Sequence, residues 1–413
     1  MLAHSPPLPL TVDYRSKDGI TLEDERGILL ALEQRHRVRH LRLLVPVRNL
    51  QRLVTAIDEE FPILEYLIVD RWRDDSRASL MLPETLQAPR LRHLMLRGFA
   101  FPIRSRLHPT ATGLVTLCLV IRHPSAYFQP NILLQWISFM PQLESLDIRH
   151  TFAVPNRDVE RQLTHTPITT RITLPNLHLF WFRGVTAYLE AVICRITTPR
   201  LEKLGIRLFK HITFSIPHLP LFMAATENLR LDNAEIMFKD ERLGVKMFSR
   251  ETDTYTFGVW VDSCHLDWQV SSAVQISNTL SHVFSAVEDL TLGHEVQSQS
   301  AEEHNDVDRI EWHMLLRSFS NVKTLRVEDG LVGQLSRSLG FEVGEPLVLL
   351  PELQELRYSG SGDVGDAFTS FIDARKNAGR PVTLIHHSPS PAPSFLPPAI
   401  TSPSHESGND FET

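Results

Sequence analysis

One spacing of apolar residues, apolar-x-x-apolar-x-apolar, runs through the chain almost from end to end. It appears as Val38-Leu41-Leu43, Leu64-Leu67-Val69, Leu91-Leu94-Leu96, Leu114-Leu117-Leu119 and Leu143-Leu146-Ile148. It continues as Leu177-Phe180-Phe182, Leu201-Leu204-Ile206, Val287-Leu290-Leu292, Val322-Leu325-Val327 and Leu353-Leu356-Tyr358, with Thr226-Leu229-Leu231 a weaker instance. Up to Thr226 the starts lie 23 to 34 residues apart. The longer gap that follows contains Thr254–Val261, where Phe257, Val259 and Val261 alternate. Residues two apart on a strand face the same side, so each triplet predicts a short strand with one apolar face. Between the strands, helical spacing predicts helices at Asn49–Ile57, Asn131–Met140, Ser272–Phe284, Asp308–Phe319 and Asp366–Asn377. Many strands follow a proline-containing entry such as FPILEYL, APRLRHL, MPQLESL, LPNLHLF, TPRLEKL or LPELQEL.

A strand and then a helix, repeated in register, give a parallel sheet lined on one side by helices. A doubly wound sheet also alternates strand and helix, but it does not repeat one LxxLxL spacing. The pattern therefore predicts an α/β fold, an irregular leucine-rich-repeat solenoid of about twelve rungs over residues 1–387. Its parallel strands line the concave face and its helices the convex one. The asparagine or cysteine that follows LxL in regular repeats is missing: Leu43 is followed by Leu44-Val45-Pro46 and Leu96 by Arg97-Gly98-Phe99. Uneven curvature is the expectation. Residues 388–413, with six prolines and six serines, read as a disordered tail, and Glu295–Arg309 as a polar acidic loop between rungs.

Composition narrows the class. At 413 residues and 42% apolar content the chain can bury a core along most of its length. No apolar run approaches the ~20 residues of a membrane helix. The opening MLAHSPPLPLTVDY has no basic region and is interrupted by prolines, unlike a signal peptide. Cys118, Cys194 and Cys264 lie far apart, which fits a reduced cytoplasmic or nuclear protein. The net charge of -7 divides unevenly: residues 1–210 carry 28 Lys+Arg against 20 Asp+Glu, and residues 211–413 carry 14 against 29. This balance argues against nucleic acid as a partner, although a local basic face is compatible with it.

The stretches SCHLDWQVSSAVQISNTLSHVFSAVEDLTL (263–292), WHMLLRSFSNVKTLRV (312–327) and LLPELQELRYSGSGDVGDAFTSFIDARKNAGRPVTLIHH (349–387) resemble fungal F-box-associated leucine-rich-repeat proteins. The opening SPPLPLTVDY resembles the segment after the F-box in that family. The resemblance implies the substrate-recognition repeat region of an F-box-type ubiquitin-ligase adaptor. A Skp-type adaptor would bind only through an F-box, and no helical F-box precedes the repeats here.

Two patterns bear on chemistry. Gly360-Ser361-Gly362-Asp363-Val364-Gly365 is a formal GxGxxG between a strand at Leu353–Tyr358 and a helix beginning near Asp366, with a second strand at Pro381–Ile385. In a dinucleotide-binding enzyme such glycines admit a pyrophosphate, but the acidic ribose partner is replaced by His386-His387. A glycine turn with Asp366 near the helix N-cap accounts for the same residues. His36 and His40, Cys264-His265 and His386-His387 lack further ligands at metal-site spacing. No catalytic, cofactor or metal residue is assigned.

The second pattern is a basic stripe. The position after each apolar triplet reads Leu44, Asp70, Arg97, Val120, Arg149, Arg183 and Arg207, and these residues point out of the core. Arg42, Lys203 and Arg230 extend it, and Trp181, Tyr66 and Met95 are interleaved. Two readings stand side by side. The stripe takes a protein partner with acidic or phosphorylated side chains through bidentate guanidinium contacts. Alternatively, Asp70, Asp147 and Asp232 pair the arginines across strands. The acidic segment 295–309 and the tail folding back on the stripe is a further expectation.

Overall fold

The structure is a computed structural model describing residues 8–71, 80–100, 105–151, 171–209, 216–226, 228–229, 231–250, 254–263, 265–295, 309–340, 349–359 and 368–387. Its strands are β1 (Leu10–Arg15), β2 (Val38–Val45), β3 (Tyr66–Arg71), β4 (Leu80–Met81), β5 (His93–Arg97), β6 (Phe99–Ala100) and β7 (Thr116–Ile121). They continue with β8 (Ser145–His150), β9 (Ile172–Thr173), β10 (Leu179–Gly184), β11 (Ile196–Thr197), β12 (Lys203–Leu208) and β13 (Asn233–Lys239). Then come β14 (Arg242–Phe248), β15 (Tyr255–Asp262), β16 (Asp289–Glu295), β17 (Thr324–Val327), β18 (Glu355–Ser359) and β19 (Thr383–His387). Among the described residues, fifteen of them form one open sheet, β1-β2-β3-β5-β7-β8-β10-β12-β15-β14-β13-β16-β17-β18-β19. The remaining four make two short pairs, β4 with β6 and β9 with β11.

The repeat unit has a local physical cause. In six of the triplets the first apolar residue lies in a turn before the strand, where its N–H donates to the carbonyl three residues earlier. Leu64 donates to Phe61, Leu91 to Ala88, Leu143 to Met140, Leu177 to Leu174, Leu201 to Thr198 and Leu353 to Leu350, at 3.1–3.3 Å. In each of these turns the second residue is proline: Pro62, Pro89, Pro141, Pro175, Pro199 and Pro351. Its fixed φ suits that position, and the turn needs no N–H there. One carbonyl per rung then accepts two consecutive N–H groups of the next. Glu65 takes Arg92 and His93, Arg92 takes Val115 and Thr116, and Glu144 takes His178 and Leu179. Each turn thereby holds the register of the strand that follows.

Burial alternates most regularly along β8 and β10. In β8, Leu146, Ile148 and His150 are buried while Ser145, Asp147 and Arg149 are half-exposed. The inward residues of the strands merge with those of the helices into one apolar cluster running from Val12 to Val382. The helices that the spacing predicts fall at Val47–Thr55, Pro130–Ile137, Leu266–Thr279 followed by Ser281–Phe284, Arg309–Arg317 and Thr369–Asn377. Leu266 and Val270, both buried, carry the third of these farther toward its N-terminus than its spacing suggests. No helix among the described residues is long and apolar enough to cross a membrane.

The expectation of a uniformly parallel sheet needs correction. Thr226 belongs to a helix end, its N–H bonding the Met223 carbonyl, and the strand expected at Thr226–Leu231 begins instead at Asn233. β13 and β14 form an antiparallel hairpin, and β14 is antiparallel to β15 as well. The sequence explains this: Ala234, Ile236 and Phe238 alternate, and so do Leu243, Val245 and Met247, with only Asp240 and Glu241 between the strands. Two residues close a hairpin but cannot hold the crossover that parallel strands require. β15 therefore lies beside β12, and β13 beside β16, both parallel.

Two buried cations or potential cations test this packing. Arg375 is 0% exposed and donates to the carbonyls of Leu350, Pro351 and Leu353, at 3.1, 3.4 and 3.0 Å. It thus holds the last proline turn. Arg375→Met keeps the apolar stem but removes the three hydrogen bonds to these buried carbonyls, and we expect a stability loss of about 2–4 kcal/mol by chemical denaturation. His150 packs inward against Tyr188, with ring centroids 4.9 Å apart, and burial lowers its pKa to about 4. Its contribution is intact above the ordinary histidine pKa and is lost as pH falls from there toward 4. Between pH 7.5 and 4.5, His150→Phe should lose about 2–3 kcal/mol less unfolding free energy than the native chain. Equal losses in the two proteins would show that His150 does not drive the acid sensitivity.

Candidate functional site on the open face of the sheet

The residues on the uncovered face fall into rows set by the register. One row is Leu44, Asp70, Arg97, Val120, Arg149, Arg183 and Arg207, and it continues to Trp260. The adjoining row is Arg42, Ile68, Met95, Cys118, Asp147, Trp181, Gly205 and Gly258. The next holds His40, Tyr66, His93, Thr116, Ser145, Leu179 and Lys203. Across the row of arginines, Arg97 to Arg207 covers four strand spacings, about 19 Å.

Most of these cations have partners. Arg97 lies 3.1 Å from Asp70, which Arg122 also approaches at 3.3 Å. Burial raises the Asp70 carboxyl above its ordinary range, and the charges of Arg122 and Arg97 oppose that rise. Arg149 grips Asp147, its neighbour on the same strand, through two bonds of 2.9 and 2.7 Å. Arg207 binds Asp262 at 3.1 and 3.2 Å, and Arg242 approaches the same carboxylate at 3.6 Å. Arg42 stands 3.9 Å from Asp13. Tyr66 is stacked with His93 and edge-on to His40, with centroids 4.2 and 4.4 Å away. Asp232 joins none of these arginines in the structure: its carboxylate accepts the backbone N–H of Arg250.

Arg183 and Lys203 differ. Neither forms an ion pair among the described residues. Arg183 lies over Phe209, 5.5 Å from the ring centroid, and its Nε is buried with no hydrogen-bond partner. Burial, followed by the nearby Arg207, lowers its pKa. Lys203 sits 4.1 Å from the Tyr255 ring centroid, and burial lowers its pKa too. An arginine stays charged in proteins, so the shift at Arg183 measures an unfavourable setting for a cation.

Between these two cations lies an aromatic floor. A β-carbon at Gly205 would collide with the Trp181 ring, and one at Gly258 would collide with Trp260. The indoles therefore lie across the backbones of β12 and β15 at the two places without side chains. Their centroids are 5.0 Å apart with planes inclined at 43°. Tyr255 meets Trp260 edge-on at 5.5 Å, and Arg149 stands over Trp181 at 5.8 Å. The face thus combines apolar area with an excess of cations: Arg149, Arg183, Lys203, Arg207 and Arg242 surround Asp147 and Asp262.

Trp260, Tyr255, Asp262 and Arg242 are the site residues that the spacing of triplets missed. They lie on strands joined through the hairpins, so their neighbours are not one repeat away. A legible signal was present in Gly205 and Gly258, since a glycine inside a strand marks close approach by another group. Cys118 faces Asp147, 3.5 Å from its carboxylate, and burial pushes the thiol well above its ordinary pKa. It is consequently a poor nucleophile. Arg230, the Gly360–Gly365 loop with Asp366, most of the acidic loop and the tail lie outside the described residues.

Gly205→Ala is expected to push the Trp181 indole off β12 while preserving the sheet. Near-ultraviolet circular dichroism should lose the signal of the Trp181–Trp260 pair, with the far-ultraviolet spectrum unchanged. Trp181→Phe provides the reference for complete loss, and a native-like signal in Gly205→Ala would contradict the flat placement.

No protein-family model and no curated protein matches this chain. Among solved structures, it is similar to the leucine-rich-repeat-containing protein LegL7 of Legionella pneumophila. The match has 11% sequence identity and a TM-score of 0.29, covering 91% of this chain and 98% of that one.

Proposed function

We propose that the chain is a leucine-rich-repeat-type protein-interaction scaffold whose open sheet face receives an acidic segment of a protein partner. The observation that carries this reading is the pair Arg183 and Lys203, left without carboxylates on a face where neighbouring arginines have them. The repeat reading is supported by the LxxLxL spacing and the chain-order succession of parallel strands on either side of the hairpins. In this reading the open face is the concave side of the solenoid and the helices form the convex side. A guanidinium with free N–H groups accepts a carboxylate or phosphate in a charge-assisted pair. Supplying that anion from a partner relieves the penalty of a partly buried, unpaired cation.

The finer reading is a substrate-recognition region of an F-box-type ubiquitin-ligase adaptor, working in the cytoplasm or nucleus. Its support is the resemblance in residues 263–292, 312–327 and 349–387. Capture of partners from a native lysate tests both levels, comparing the native chain with Arg183→Glu/Lys203→Glu. This variant breaks no ion pair among the described residues, and circular dichroism checks its fold. Partners released by moderate salt and lost from the variant are the expected result. Ligase components recovered with the native chain would support the adaptor role, and identical partners from both proteins would exclude this face as the recognition surface.

A further inference from the structure

The boundary between β10 and β12 has an order along the strand direction that specifies more than acidity. At one end are Arg183 and Arg207, opposite each other in register. In the middle Trp181 lies over Gly205, with Trp260 beside it. At the other end is Lys203, whose register partner is Leu179. Each step is two residues along a strand, about 6.6 Å, so cation, aromatic floor and cation extend over about 13 Å.

An extended peptide has the same period. Its residues i, i+2 and i+4 project to one side at the spacing of the strand beneath it. Resting on the proposed function, we infer that this trench recognises an extended acidic-x-aromatic-x-acidic segment. One carboxylate meets Arg183, the ring stacks on Trp181 against Trp260, and the second carboxylate meets Lys203. Phe209 and Tyr255 back the two cations and limit their freedom to follow a ligand elsewhere. Arg207 and Arg149 remain held by Asp262 and Asp147, which leaves Arg183 as the guanidinium available at its end. The aromatic position supplies apolar area and ring stacking, while the two acidic positions supply orientation and register.

A single-stranded nucleic acid offers phosphates and flat bases as well. The charge layout favours the peptide. Farther along the same sheet face Glu235, Glu295 and Glu355 are each ion-paired, with Lys246, Lys239 and Arg357, so these positions add no net positive charge to hold a polyanion longer than the trench. A five-residue segment ends before reaching them.

Selection of a displayed random-peptide library on the full chain tests the pattern without assuming it. The counter-selections are Arg183→Gln/Lys203→Gln and Gly205→Ala, and Arg326→Gln on β17 serves as the control outside the trench. The expected enrichment is an aromatic residue with Asp or Glu at both the -2 and +2 positions. A synthetic peptide of that pattern should bind the native chain and the control equally in fluorescence anisotropy. Its affinity should fall about tenfold or more with Arg183→Gln/Lys203→Gln. Replacing its aromatic residue by alanine should weaken it for the native chain and matter little for Gly205→Ala. Enrichment of acidic peptides without the aromatic position, still lost in Arg183→Gln/Lys203→Gln, would overturn the pattern while leaving the acidic-partner reading standing. Peptides indifferent to every trench variant, or no enrichment, would overturn the pattern, and the lysate comparison then decides the broader reading. A single-stranded oligonucleotide that outcompetes the selected peptide would overturn it in favour of nucleic acid.

Discussion

Each inner strand of the long sheet has backbone partners on both sides, yet helices and turns pack against one of its faces alone. That asymmetry governs the molecule. Leu41, Leu67, Leu94, Leu117, Leu146, Phe180 and Leu204 form a buried ladder because the helices and turns cover only their side. The other face must satisfy its charged and aromatic residues without a covering layer. It does so in three ways: carboxylates clasp arginines, glycines let indoles lie flat, and two cations rest on rings. The proposed recognition surface is thus a product of how the repeat packs, and it occupies the part of each strand that stability constrains least.

The unit is reproduced by backbone chemistry as much as by leucine. On six rungs a proline turn aims the strand, and a carbonyl with two lone pairs ties the first N–H groups of a rung to the rung before. Both devices are independent of the outward side chains. This separation permits Asp70, Arg97, Val120 and Arg149 to occupy equivalent positions on neighbouring rungs. It also accounts for the drift in repeat length, because insertions between a strand and the next proline turn leave the register untouched.

Much of this was legible in the residues. Apart from Thr226–Leu231, the triplets located strands, and the position after them located the row of arginines, since period-two alternation fixes which way a side chain points. What escaped was lateral. Asp147 was legible as a neighbour of Arg149, but its bidentate grip on its own strand depends on rotamers. Asp262 became the partner of Arg207 only because the hairpins carry β15 back to β12, a consequence of the short Asp240-Glu241 connection. Trp260 escaped for the same reason, so half of the aromatic floor depended on topology that the repeat spacing does not encode.

The hairpins leave a seam in the molecule. From β1 to β12 every added strand in the main sheet meets its chain predecessor, but the next strand laid down beside β12 is β15, reached after β13 and β14 have paired. Two arrays thus join edge to edge at β12 and β15. The contacts of Trp181 with Trp260 and of Arg207 with Asp262 both cross that junction. Anything seated over the two indoles therefore binds the joined arrays more tightly than the parted ones, and by mass action it acts as a latch on the seam.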